Sequence, residues 1–234
     1  MFKRLVDYQD GSVELEGYLA YSSEQKQKTV LLCHAWAGRD AYICEKADLI
    51  ASLGYTAFAI DVYGKNVLGT SAEENLQLKQ PFLADRNLLK KRLMKGYEAA
   101  CAELSVDEDQ LVVLGFGFGG LCALDYARYI PTLRGVVCVY GHFECPSGVS
   151  NTSIKAKVLL LHGKDDPVVP PKELCAFEQE LKGYGVDCES HVYPNSMHAF
   201  TTPSANCPEK GVAYNPETAS QAWNCIQDFL NRVL

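Results

Sequence analysis

The chain has 234 residues, 47% hydrophobic and 22% charged, with a formal net charge of −7 and a pI of about 5.3. That size and mixture fit a single globular domain over residues 1–234, and the acidic balance argues against nucleic acid or an anionic membrane as partner. No run reaches the roughly 18 apolar residues of a membrane span, and the start, MFKRLVDYQDG, is too charged for an export signal.

Ten cysteines occur, none in a CxxC pair and none at zinc spacing beside histidines. Cys33, Cys101, Cys122, Cys138 and Cys225 lie in apolar stretches, where cysteine acts as a small hydrophobe. Reduced thiols in a cytoplasm are the expectation.

In chain order, residues 3–9 and 12–21 flank Asp10-Gly11 and read as a hairpin. TVLLCH (29–34) reads as a strand buried on both faces. A helix follows over 40–53, opened by Asp40 and stopped by Gly54, and then YTAFAI (55–60) as a strand. Helical spacing covers 71–80 and 82–104, with Pro81 breaking or restarting the helix. Strands are predicted at 110–115, 135–140, 157–162 and 186–193, and helices at 119–129, 171–182 and 215–232. Residues 143–153 and 201–214 read as surface loops.

Repeated strand–helix units imply a mainly parallel sheet with helices on both faces. Ligands bind at the carboxyl ends of such strands, so the residues just after each strand carry the functional reading. They are His34-Ala35-Trp36, Asp61 and Tyr63, the turn Gly115-Phe116-Gly117-Phe118-Gly119-Gly120, Gly141-His142, Asp165-Asp166, and Asn195-Ser196-Met197-His198. A glycine turn, then an acid, then a histidine is the chain order of α/β-hydrolase triads. Asp166 is preferred over Asp165 by its spacing to Val169-Pro170.

The stretches LLCHAWAGRD, LGYTAFAIDVYG, GFGFGGLCALDYAR, LHGKDDPVVPP and SMHAFTTP resemble the dienelactone hydrolase family over nearly the whole chain. The resemblance implies an α/β-hydrolase fold with about eight strands. It also implies hydrolysis of a small carboxylic ester or lactone by a Cys-His-Asp triad, without metal or organic cofactor, in a monomer or homodimer. In that family the turn reads G-x-C-x-G-G. Carried across by position, Gly117 stands at the nucleophile, Asp166 is the acid, His198 is the base, and the Trp36 and Phe118 amides form the oxyanion hole.

Three departures stand out. Glycine fills the cysteine position, Ala35 stands where the best-known members have glutamate, and Thr202 where they have a carboxylate-binding arginine. Arg86 is a candidate for a surviving carboxylate ligand. His34 is expected to shape the oxyanion loop, Tyr63 and Asp61 to border the cleft, and His142 to reach substrate. With Gly117 in place, activity is expected to be absent or very low, as in a pseudoenzyme or an engineered variant. A non-catalytic binder using the former acyl pocket is the alternative. Gly115, Gly117 and Gly120 also satisfy G-x-G-x-x-G, but mid-chain and without an acidic residue ending the next strand, so the nucleotide reading is weak. Cys122 and Cys33 read as core residues rather than substitute nucleophiles.

Overall fold

The computed structural model describes residues 1–22, 28–104 and 108–234. Its elements run β1 (Phe2–Asp10), β2 (Val13–Tyr21), β3 (Thr29–Cys33), α1 (Ala41–Ser52), β4 (Thr56–Ala59), α2 (Ala72–Ala84), α3 (Arg86–Leu104), β5 (Leu111–Phe116) and α4 (Phe118–Tyr129). They continue with β6 (Gly135–Val139), β7 (Lys157–Gly163), α5 (Pro171–Gly183), β8 (Cys188–Tyr193), β9 (Asn206–Cys207), β10 (Val212–Ala213) and α6 (Pro216–Val233). Eight strands form one sheet in the order β1-β2-β4-β3-β5-β6-β7-β8. The β1–β2 and β2–β4 pairs are antiparallel and the rest parallel.

The apolar strands are buried on both faces because helices cover both. Val30 and Leu32 of β3 and Val112 and Leu114 of β5 pack with Ile43 and Ile50 of α1 and Ile226 and Phe229 of α6. Leu31, Leu111 and Val113 point the other way, into a cluster with Leu89 and Leu93 of α3, Leu121 of α4 and Leu174 of α5. This is the period-2 alternation of a strand dividing its side chains between two cores.

Local chemistry sets the boundaries. Asp10 and Val13 face each other across a Gly11-Ser12 turn, with Gly11 at φ +62°. Asp40 caps α1 by accepting the Ile43 N–H at 3.1 Å. The break expected at Pro81 falls elsewhere. Pro81 lies inside α2, and the chain turns at Asp85, which leaves the helical region (φ −122°, ψ 93°). The Asp85 carboxylate accepts the Asn87 and Leu88 N–H groups at 2.9 and 3.1 Å and opens α3. The stretch 201–214, expected as a plain loop, contains the short β9–β10 ribbon. No helix among the described residues is long and apolar enough to cross a membrane.

Candidate active site

β3 and β5 are neighbours, with Cys33 opposite Gly115, so the loops that follow them meet above the sheet. β5 passes into α4 through Gly117, at φ +56° and ψ −114°. Its N–H donates to Val139 O at 2.9 Å, fixing the turn against β6. The flanking glycines are there for close approach. A Cβ on Gly120 would come within 2.8 Å of Gly141 Cα, and one on Gly119 would overlap the Cys33 carbonyl. Gly117 differs, because a Cβ there would meet nothing nearer than His198 Nε2 and a Tyr140 ring carbon, both at 3.7 Å.

His198 and Asp166 come from two other strand ends. Asp166 follows β7 and is 2% exposed. Its Oδ1 accepts the Val168 and Val169 N–H groups at 2.8 and 3.0 Å, which leaves Oδ2 for His198 Nδ1 at 2.8 Å. A carboxylate only accepts, so Nδ1 carries the proton and Nε2 presents its lone pair toward Gly117. Asp165 is exposed and takes no part in this contact. The histidine is pinned by its backbone: its N–H donates to Gly211 O at 2.9 Å, and its carbonyl accepts from Ala213 N–H at 3.1 Å. Its ring stands edge-on to Tyr140, centroids 5.1 Å apart.

Phe118 opens α4 and Trp36 lies in the loop after β3; neither N–H donates to a protein acceptor among the described residues. Two backbone amides without a protein acceptor suit a carbonyl oxygen that gains charge on attack. The family model of the dienelactone hydrolase family matches residues 15–234.

The chain belongs to the dienelactone hydrolase family. A protein of Saccharolobus solfataricus named "Putative carboxymethylenebutenolidase" is 24% identical over 259 residues, covering 97% of each chain. The dienelactone hydrolase-like promiscuous phosphotriesterase P91, from metagenomic libraries, is 26% identical, covers 99% of this chain and 98% of its own, and superposes with a TM-score of 0.91. A solved structure named m3DLH is 28% identical, covers 100% of this chain and 98% of its own, and gives a TM-score of 0.90. The fold is therefore that of the α/β-hydrolases.

Within this dienelactone hydrolase fold, several expected substrate contacts are engaged elsewhere. Arg86 is held by a buried carboxylate. Its Nη2 is 2.6 Å from Asp125 Oδ2, while Arg128 Nη1 holds the other Asp125 oxygen at 2.8 Å. The Asp125 side chain is fully buried, and Arg86 neutralises its charge. His34 is also inward. Its Nδ1–H donates to Ala35 O at 2.7 Å and its Nε2 accepts from Val62 N–H at 3.2 Å, so the ring ties the β3 and β4 loops together. Burial holds its pKa below the usual histidine value and keeps it neutral. Tyr63 is buried as well, donating its hydroxyl to Trp36 O at 3.1 Å and stacking on Phe118 and Phe82. It ties down the loop after β3. Asp61 is a turn residue whose Oδ1 accepts the Tyr63 and Gly64 N–H groups at 2.9 and 3.0 Å.

His142 is half-buried at the rim; burial lowers its pKa, and the nearby Glu144 carboxylate only partly offsets that. Lys79 itself escaped the sequence reading. It projects from α2 over the Trp36 ring, Nζ 5.4 Å from the centroid, and forms no ion pair among the described residues. Cys33 and Cys122 are fully buried, and burial pushes both thiols well above the usual range, so neither supplies a thiolate. No group of three or more His, Cys, Asp or Glu among the described residues is arranged to hold a metal ion.

Tyr140 and His162 were also missed. Tyr140 has φ +39°, and its hydroxyl joins Thr201 Oγ1 at 2.5 Å, which in turn meets Tyr42 at 2.7 Å. This buried chain of hydroxyls backs the His198 ring. His162 donates Nε2–H to Val169 O at 2.8 Å and so braces the turn that carries Asp166. The available signal was position: Tyr140 and His162 each end or follow an apolar strand.

Proposed function

We propose that this chain carries the acid–base and oxyanion machinery of a carboxylic ester or lactone hydrolase, with Gly117 at the place from which the attacking side chain would project. The observation behind this is that His198 Nε2, oriented by Asp166 at 2.8 Å, lies 3.7 Å from the Cβ position of residue 117. A cysteine there would bring its sulfur to the imidazole, attack a carbonyl carbon, and pass the oxygen's charge to the Trp36 and Phe118 amides. Asp166 would stabilise the imidazolium as it forms. The names of the relatives, which refer to lactone substrates, support the same substrate class.

In the chain as it stands, water beside Gly117 takes the place of the thiol. His198 removes its proton, and hydrolysis runs by direct attack without an acyl-enzyme. Members of such a triad act as a unit, and losing the nucleophile costs on the order of 10⁴–10⁶ in kcat. Lys79, over the Trp36 ring, would meet an anionic acyl group, the role also expected of Arg86, which shares its charge with Asp125. The test is p-nitrophenyl acetate hydrolysis by the parent and by Gly117→Cys, each with and without His198→Ala. A large gain for Gly117→Cys that needs His198 supports the reading. Background rates in all four proteins would overturn it and leave a ligand-binding role for the former acyl pocket.

A further inference from the structure

Charge is unevenly matched where the start of α3 meets α4. Asp125 and Arg128 are fully buried and Arg86 nearly so, so one carboxylate serves two guanidinium groups. Arg128 has other acceptors in Asn151 Oδ1 at 2.8 Å, Phe143 O at 2.9 Å and Glu144 O at 3.3 Å. Arg86 has donors left over. Its buried Nε finds no acceptor among the described residues, and its Nη1 reaches Glu144 O only at 3.5 Å. A cation so placed gains strongly from an added anion. Arg86 also lines an open groove of about 230 Å³ with Asp85, Lys90, Tyr129, Pro146 and Val149. Lys90 Nζ stands 4.6 Å from the centroid of the Tyr129 ring and forms no ion pair among the described residues. In and beneath the groove, the cations Arg86, Lys90 and Arg128 face the carboxylates Asp85 and Asp125, which leaves one positive charge in surplus. Glu144 and Glu180, which border this region, are exposed and screened by water. Tyr129 lies 12 positions along from Gly117, about 18 Å at 1.5 Å per helical residue, so the groove is separate from the catalytic turn.

We propose that this groove is a second binding site, which takes a small aromatic monocarboxylate of the benzoate class. The carboxylate bridges Lys90 Nζ and the Arg86 guanidinium, and its single charge matches the single surplus. The ring lies against Tyr129, Pro146 and Val149, which supply the apolar wall. The volume is below the roughly 300–1,000 Å³ of drug-sized pockets, so one ring with its acid group fills it. A phosphate dianion brings a second negative charge toward Asp85 and has no apolar surface to offer the wall.

The test is calorimetric titration of the full chain with sodium benzoate at low ionic strength, with the fold of each variant checked by circular dichroism. Expected is saturable binding of one benzoate with a Kd on the order of 1 mM, as befits a ligand of this size. Lys90 is exposed, so its substitutions leave the fold intact. Lys90→Met should weaken binding about fivefold and Lys90→Glu about 25-fold, one step for each unit of charge removed. Arg86→Met, which abolishes the surplus, should weaken it about tenfold or more. If Arg86→Met fails to fold, the Lys90 pair decides alone. Acetate, which lacks the ring, should bind about tenfold more weakly, and phosphate should not displace benzoate. Lys79→Met, at the catalytic mouth, should change nothing. No saturation well above the expected Kd, or an affinity indifferent to Lys90→Met and Lys90→Glu, would overturn the site. Loss of binding in Lys79→Met would place the acid at the catalytic centre instead, and displacement by phosphate would overturn the monocarboxylate class.

Discussion

Replacing Gly117 by alanine isolates the backbone cost of the turn from its chemistry. Gly117 sits at φ +56° and ψ −114°, a region that L-residues occupy with strain of about 1–3 kcal/mol. Overpacking adds nothing, since the new methyl would find its nearest neighbours at 3.7 Å, an ordinary contact distance. The restricted unfolded chain returns about 0.4–1 kcal/mol. The net expectation is a loss of about 1–2 kcal/mol, or roughly 2–8 °C in Tm for a chain of this length. Gly119→Ala is the internal comparison. Its methyl would overlap the Cys33 carbonyl, and α4 and β3 must separate to admit it, so its loss should reach about 3 kcal/mol or more. Urea and thermal unfolding of both variants read the difference. A stabilised Gly117→Ala would refute the strained turn, and a Gly119→Ala milder than Gly117→Ala would refute the packing argument. The same arithmetic says that Gly117→Cys regains chemistry at a small cost in stability.

Asp125→Ala strands the buried Arg128 and the mostly buried Arg86 and should cost about 3–5 kcal/mol in urea unfolding, whereas Arg86→Met, which leaves Arg128 on Asp125, should cost less. His34 and His162 are buried with pKa values pulled below 6.5 chiefly by desolvation, so below pH 6.5 the unfolded chain binds protons that the folded chain refuses. Stability therefore falls with acid in that window, by up to about 1.4 kcal/mol per pH unit for each such histidine. Urea midpoints taken on either side of pH 6.5 should show this slope, and His162→Gln should reduce it. In the Gly117→Cys background, Lys79→Met should raise KM roughly fivefold for an aryl hemisuccinate, as befits a partly exposed ion pair. It should leave KM for the neutral aryl butyrate unchanged, and equal effects on both esters would remove Lys79 from recognition.

The strands were legible because their side chains are buried on both faces, which leaves unbroken runs such as TVLLC and KVLLLHG in the sequence. Asp40 and Gly54 marked the limits of α1 for the same local reason. What failed was long-range. Arg86 meets Asp125 across 39 positions, and no local pattern predicts a buried counter-charge on another helix. Lys79 reaches the Trp36 ring only because α2 folds over the loop after β3. Pro81 kept its helix going, since one missing N–H does not outweigh the turn that ends at Asp85. Asp166 and His198 could be placed from strand ends alone, but not the ribbon that holds His198 through Gly211 and Ala213. Tyr140 at φ +39° is likewise a product of packing that no residue preference announces.

The most direct test of the central claim is acylation of Gly117→Cys by phenyl butyrate, quenched in acid and located by peptide mass spectrometry. One butyryl group is expected on the peptide that spans residues 111–130, assigned by fragmentation to position 117, and it should be absent when His198→Ala is added. Acyl groups spread over exposed thiols such as Cys175, or acylation of position 117 that persists without His198, would contradict it.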